Sequence, residues 1–214
     1  MGLRRRWGAA ALIIVGLAVA GCGAPQYHYV ADSADNAYFK VPPGWHQVSP
    51  SSLQAVEGAQ DGVGTYAWSE AYDSSATPSV EHVFSATASP VAYSGVVSLS
   101  TAGRNGLSFN AMRDLVIPVT SQARQQASAD HTELSGFASL SDQIITDNHN
   151  DRGIREIFDY DLGLTLETFD LTVLVNSATT KVYFLLVQCS ETCFAANYSQ
   201  IAAVVGSFTV GGGS

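Results

Sequence analysis

An α+β domain with a central antiparallel sheet flanked by helices is predicted by three features of this 214-residue chain. Two pairs of strand-like runs, Leu140 to Thr146 with Ile154 to Tyr160 and Thr165 to Asn176 with Lys181 to Gln188, are each joined by a short turn-rich segment, the pattern of hairpins. The run Val182-Tyr183-Phe184-Leu185-Leu186-Val187 is apolar on both parities, which suits a central strand covered on both faces. Beyond it, Phe194, Tyr198, Ile201, Val204, Val205 and Phe208 approximate one helical face, so a helix from about Cys193 to Ser207 should pack back on the sheet.

The N-terminal segment is a different kind of sequence. Arg4, Arg5 and Arg6 precede an uncharged run from Trp7 to Ala20, and Leu17-Ala18-Val19-Ala20-Gly21 leads small residues up to Cys22. A basic start, a short apolar stretch and small residues before a cut site make a secretory signal peptide over residues 1–21. Its ending resembles a bacterial lipobox, which implies cleavage before Cys22 and acylation of that cysteine. The apolar run of 14 residues falls short of the roughly 18 to 20 that cross a bilayer as a helix. The alternatives, a plain secreted product or an uncleaved anchor, are therefore set behind a lipid anchor on the extracytoplasmic face of the cell membrane. Two acyl chains hold where one binds only marginally.

Removing the three signal-peptide arginines from the 10 basic residues leaves 7 against 19 acidic ones, a net charge of −12. Nucleic acid is excluded, because its phosphates need Lys and Arg to displace counterions. A polybasic grip on anionic lipid is excluded for the same reason, so membrane contact should come through the acyl chains.

Residues 22–36 read as a tether and residues 37–210 as one domain. Tyr38 to Val41 has strand composition and stops at Pro42-Pro43-Gly44, since proline has no N–H to donate. Ser49 caps a helix from Pro50 to about Glu57, which Gly58 closes. Thr65 to Tyr72 reads as a strand with Tyr66, Trp68 and Tyr72 on one parity, an aromatic face that either packs in the core or forms a ligand platform. Val80 to Ser85 and Ser94 to Ser100 are further strand candidates. After Asn105-Gly106, Ser108 caps a helix that buries Phe109, Met112, Leu115 and Val116 and ends at Pro118. Thr120 to Glu133 is polar and reads as a weak surface helix or loop. Residues 211–214 are a flexible tail.

Once Cys22 is acylated, Cys189 and Cys193 remain as a pair in an exported chain. They read as a disulfide across a tight turn, with two free thiols as the alternative. A metal site would need two more ligands, and no His lies within 20 residues on either side.

The order of aromatic strand, Val41-Pro42-Pro43-Gly44-Trp45, antiparallel meander, apolar strand, short turn and a helix closing at Gly206-Ser207-Phe208 resembles the LpqN-type lipoproteins of actinobacteria. Residues 38–45 and 181–208 carry the likeness. The resemblance implies a PsbP-like α/β/α sandwich and an accessory or docking role, with no shared catalytic residues to transfer.

Catalytic patterns are absent from the sequence. There is no Gly-x-Ser-x-Gly nucleophile elbow and no His-Glu-x-x-His motif, and His28, His46, His82, His131 and His149 are scattered. The richest polar cluster is Asp147-Asn148-His149-Asn150-Asp151. Asp147, His149 and Asp151 have the oxygen and imidazole chemistry to hold a hard cation, but Asp and Asn are also what tight turns select, and the calcium-loop spacing is missing. No cofactor is expected. The expectation is a non-enzymatic, membrane-anchored envelope module that binds a protein or envelope glycolipid. The alternative is an envelope hydrolase or metal-dependent enzyme whose residues converge from distant loops.

Overall fold

The computed structural model describes residues 27–57, 63–129 and 134–211. The signal peptide, Cys22, Gly58 and the tail beyond Gly211 lie outside them. Within the described residues the chain builds a seven-stranded and a three-stranded sheet, both antiparallel, with six helices. None of these helices is long and apolar enough to cross a membrane. The predicted α+β class, a central antiparallel sheet flanked by helices, is the one observed.

The chain opens with a hairpin, β1 (His28–Asp32) paired to β2 (Ala37–Val41). This corrects the reading of residues 28–32 as tether. In β1 only Val30 is buried, a signal too short for periodicity to register, and the strand is held by pairing with β2. β3 (His46–Gln47) then joins the large sheet, and α1 (Pro50–Val56) starts where expected, with Ser49 Oγ accepting from the Ser52 N–H and proline in the first turn.

β4 (Gly64–Asp73) leads to α2 (Glu81–Phe84), a single helical turn where a strand is predicted. Asp73 decides the difference. Its buried carboxylate gathers the Ser75 and Ser79 N–H groups and the His82 ring, curling the segment before it can extend. β5 (Val91–Leu99) follows, and Ser100 and Ser108 cap α3 (Thr101–Gly106) and α4 (Phe109–Arg113). α4 is shorter than predicted because Asp114 takes the Val119 and Thr120 N–H groups and turns the chain. The polar stretch forms α5 (Ser121–Ala129), with no buried residue.

Both predicted hairpins are present: β6 (Leu134–Thr146) with β7 (Arg152–Leu162), and β8 (Thr165–Val175) with β9 (Lys181–Ser190). α6 (Glu191–Val205) and the two-residue β10 (Thr209–Val210) complete the chain, and β10 pairs with β2.

The large sheet runs β3-β4-β5-β9-β8-β7-β6. β9 lies inside it, and its alternate residues feed two cores. Val182, Phe184 and Leu186 point to the side covered by α1, α2 and α4, where Leu53, Val83, Met112, Phe158 and Phe169 are buried. Tyr183, Leu185, Val187 and Cys189 point to the side covered by α6 and the small sheet, against Phe39, Trp45, Ile201 and Val204. At about 25 cal/mol per Å² of apolar surface, each fully buried Leu, Ile or Phe contributes roughly 1.5–3 kcal/mol, so both faces stabilise the fold. Asp170 sits on the α6 side and is compensated by a two-pronged ion pair with Arg155.

Candidate functional site

The proposed aromatic platform is divided by the backbone. Tyr66 is opposite Val97 and Trp68 opposite Val96, so a bulge at Ala67 takes up one residue and reverses the parity. Tyr66 therefore faces the α1 side, while Trp68 and Tyr72 face the α6 side. The reading of one aromatic face is corrected here, because strict alternation fails at a bulge.

Each part has its own partners. Tyr93 Oη donates to Glu57 Oε1 at 2.8 Å and lies 3.0 Å from Tyr66 Oη, while Ser69 Oγ donates to Glu57 Oε2 at 2.8 Å. Burial pushes the Tyr93 phenol far above its usual range, and the neighbouring Tyr66 and Glu57 add to the effect. On the other side the Tyr72 ring meets Phe39 edge-on at 6.2 Å. Its hydroxyl donates to Glu70 Oε2 at 3.2 Å, and burial, then Glu70, raises it to about 12.

The Asp147 cluster is a turn held by its own side chain. Asp147 Oδ1 accepts from the N–H groups of His149 at 2.8 Å and Asp151 at 2.9 Å, and Asn150 takes a positive φ of 69°. Among the described residues no group of three His, Cys, Asp or Glu side chains is placed to hold a metal ion.

What the fold adds is the company this turn keeps. The β1–β2 turn brings Asp35, the β6–β7 turn brings His149 and Asp151, and the β8–β9 turn brings Asn176 around an open cleft of about 440 Å³ above Lys181 and Tyr183. Lys181 Nζ donates to Asp35, and Asp151 Oδ1 accepts from the Ser177 N–H at 3.1 Å. Burial and the nearby Asp147 raise the Asp151 carboxyl above its usual range. Burial, with Asp35, Asp151 and Asp32 around it, raises Tyr183 to about 12. The cleft has charges of both signs and the half-buried amides of Asn36 and Asn176. Asp35 and Lys181 lie 146 positions apart, and no sequence signal joins them.

Two buried acids were also missed. Asp73 Oδ2 lies 2.7 Å from His82 Nδ1, and among the described residues no serine or cysteine side chain is hydrogen-bonded to that ring. The contact closes a loop. Glu167 is fully buried, accepts only from the Thr87 N–H at 3.1 Å and leaves Oε2 without a partner, and burial raises it to about 7. It shares parity with the core residues Phe169 and Leu171, so an acid at a core position was readable in the sequence. Cys189 and Cys193 are bridged, with Cα atoms 5.9 Å apart, and join β9 to α6.

An apolar groove of about 570 Å³ lies beside Val56, Val80 and Phe84.

No family model matches the chain, and no curated protein matches it. Among solved structures it is similar to the cyanobacterial PsbP protein CyanoP of Synechocystis sp. PCC 6803, with a TM-score of 0.55 and 13% identity over 89% of this chain and 96% of that one. A looser likeness, at a TM-score of 0.43 and 11% identity over 86% of this chain and 95% of that one, is to the Ran-binding protein Mog1p of Saccharomyces cerevisiae. At such identities the first likeness shows the fold alone: the domain is PsbP-like.

Proposed function

We propose that this chain is an envelope lipoprotein, anchored through Cys22 on the extracytoplasmic face of the cell membrane, that docks a protein partner without catalysing a reaction. In this reading it is a member of the LpqN-type lipoproteins it resembles. The observation that carries the proposal is the lipobox-like ending at Cys22, followed after five residues by a folded domain. Support for docking comes from the architecture. Both faces of the large sheet are filled by side chains, and the polar cleft around Asp35 and Lys181 presents charged groups toward a partner's surface.

The test is mass analysis of the N-terminal peptide from membranes, followed by crosslinking in intact membranes with a Cys22→Ala control. An acylated Cys22 is expected, with a crosslink to one protein that rebinds the purified lipoprotein and is lost on Lys181→Glu. Release of the wild-type protein into the soluble fraction overturns the anchor, and rebinding unchanged by cleft variants overturns the docking site.

A further inference from the structure

The three-stranded sheet has one face in the core and one face free. Val30, Ala37, Phe39, Val41 and Val210 point inward. The paired positions Tyr29 with Lys40, Ala31 with Tyr38, and Tyr38 with Thr209 therefore share the outer face. Tyr29 is 79% exposed and Tyr38 38% exposed, far more than tyrosines that pack in a core. Tyr27 continues the row, with Lys40 Nζ 4.3 Å from the centre of its ring. Among the described residues, no Asp or Glu occupies the outer positions of these three strands, in a chain with 19 acidic residues against 10 basic ones.

We infer that this outer face is a membrane seat: Tyr27, Tyr29, Tyr38 and Lys40 lie against the headgroup region and fix how the anchored domain stands on the bilayer. The inference rests on the anchor proposed above. Two physical arguments select a bilayer as the occupant. Tyrosine is amphipathic and concentrates at the membrane–water interface, its ring near the acyl boundary and its hydroxyl in water, and a lysine stem does the same. Charge agrees with this face: an acidic protein is repelled least by anionic lipid where it presents no carboxylates, as on the free face of the small sheet, which carries Lys40. Distance agrees, since five residues from Cys22 to Tyr27 span at most about 17 Å even when fully extended. The same orientation turns α4, across the large sheet, away from the membrane.

The experiment uses the full acylated protein in vesicles of phosphatidylethanolamine and phosphatidylglycerol with no other protein present. With Cys22 acylated and Cys189 bridged to Cys193, an introduced cysteine is a unique thiol for a nitroxide label. Labels go at Ala31→Cys and Thr209→Cys on the seat and at Ala111→Cys on α4, all exposed positions. The two seat labels are expected to collide with dissolved oxygen more than with a water-soluble nickel chelate, at a depth within about 5–10 Å of the headgroup–acyl boundary. The α4 label is expected to show the reverse. The Tyr29→Ala/Tyr38→Ala pair should move the seat labels into water while the protein stays acylated and membrane-bound. Acylated protein whose seat labels are as water-exposed as the α4 label overturns the orientation alone, as does a seat depth unchanged by the tyrosine pair. An N-terminal peptide without acyl mass overturns the anchor and the orientation with it.

Discussion

Tyr66 and Trp68, two residues apart on one strand, lie on opposite faces of the large sheet because the bulge at Ala67 shifts their partners from Val97 to Val96. The bulge lets one strand send an aromatic residue into each core. Deleting Ala67 makes Tyr66 and Trp68 neighbours, which strict alternation still sends to opposite faces, across from the adjacent Val97 and Val96, so both rings keep their cores. The expected loss is no more than about 1 kcal/mol, measured by urea unfolding, and a loss of about 3 kcal/mol or more would show that the bulge itself is needed. Ala67→Thr at this exposed position should stay within about 0.5 kcal/mol. Tyr66→Ala and Trp68→Ala should add, since their side chains share no partner across the sheet.

Glu167 makes stability depend on pH in an uncommon direction. A carboxyl raised from 4.5 to about 7 in the folded state binds its proton more tightly there than in the unfolded chain. Its stabilising effect is complete below about 4.5 and is lost as the pH rises through about 7. Burial raises Glu156, Glu70 and Asp151 too, so they act with the same sign. Unfolding free energy should fall by on the order of 3 kcal/mol between pH 5 and 8 because of Glu167. Glu167→Gln, which keeps an acceptor for the Thr87 N–H, should flatten that fall. Equal slopes for the two proteins would count against the assignment.

Arg155 holds the buried Asp170 through Nε to Oδ1 at 3.0 Å and Nη2 to Oδ2 at 2.7 Å. Arg155→Ala leaves a carboxylate that is 1% exposed without its partner, at an expected cost of about 3 kcal/mol. Arg155→Ala/Asp170→Asn should recover part of that loss. Thermal unfolding of the set forms a double-mutant cycle that reads the coupling directly.

The Cys189 to Cys193 bridge closes a loop of only a few residues, so its effect on the unfolded chain is modest. Replacing both with Ala should cost about 2 kcal/mol. Reduction of the wild type under denaturing conditions should shift the midpoint by a similar amount.

Asp147 acts as a turn residue in this structure, and calcium tests that role. Asp147→Ala should cost about 1 kcal/mol through loss of the bonds to the His149 and Asp151 N–H groups, and Asp147→Asn much less. Millimolar calcium should leave the melting temperature of the wild type unchanged. An upward shift abolished in Asp147→Ala would restore the cation reading.

Local chemistry explains which parts were legible. The serine caps at Ser49 and Ser108, the proline that opens α1, the turns of both hairpins and the doubly apolar β9 depend on residues near one another in sequence, and each could be read before the fold was known. The last helix and the disulfide belong with them. The lipobox-like Cys22 is likewise a property of the sequence alone, because a processing signal is read as an extended peptide.

What the tertiary structure decided depends on partners far apart in the chain. A two-residue β10 has no periodicity, and it exists because β2 lies beside it. The bulge at Ala67 is set by packing on both sides of the sheet, so an alternation rule merges faces that the fold separates. Asp35 meets Lys181, and Thr87 meets Glu167, across separations of 146 and 80 residues. The free face of the small sheet is visible only once β1, β2 and β10 are paired, since each strand alone supplies one or two of its side chains. Sequence determined the local elements and the proposed address of this protein. Burial and long-range pairing decided which residues share a surface, because only the closed sheets set the distances between them.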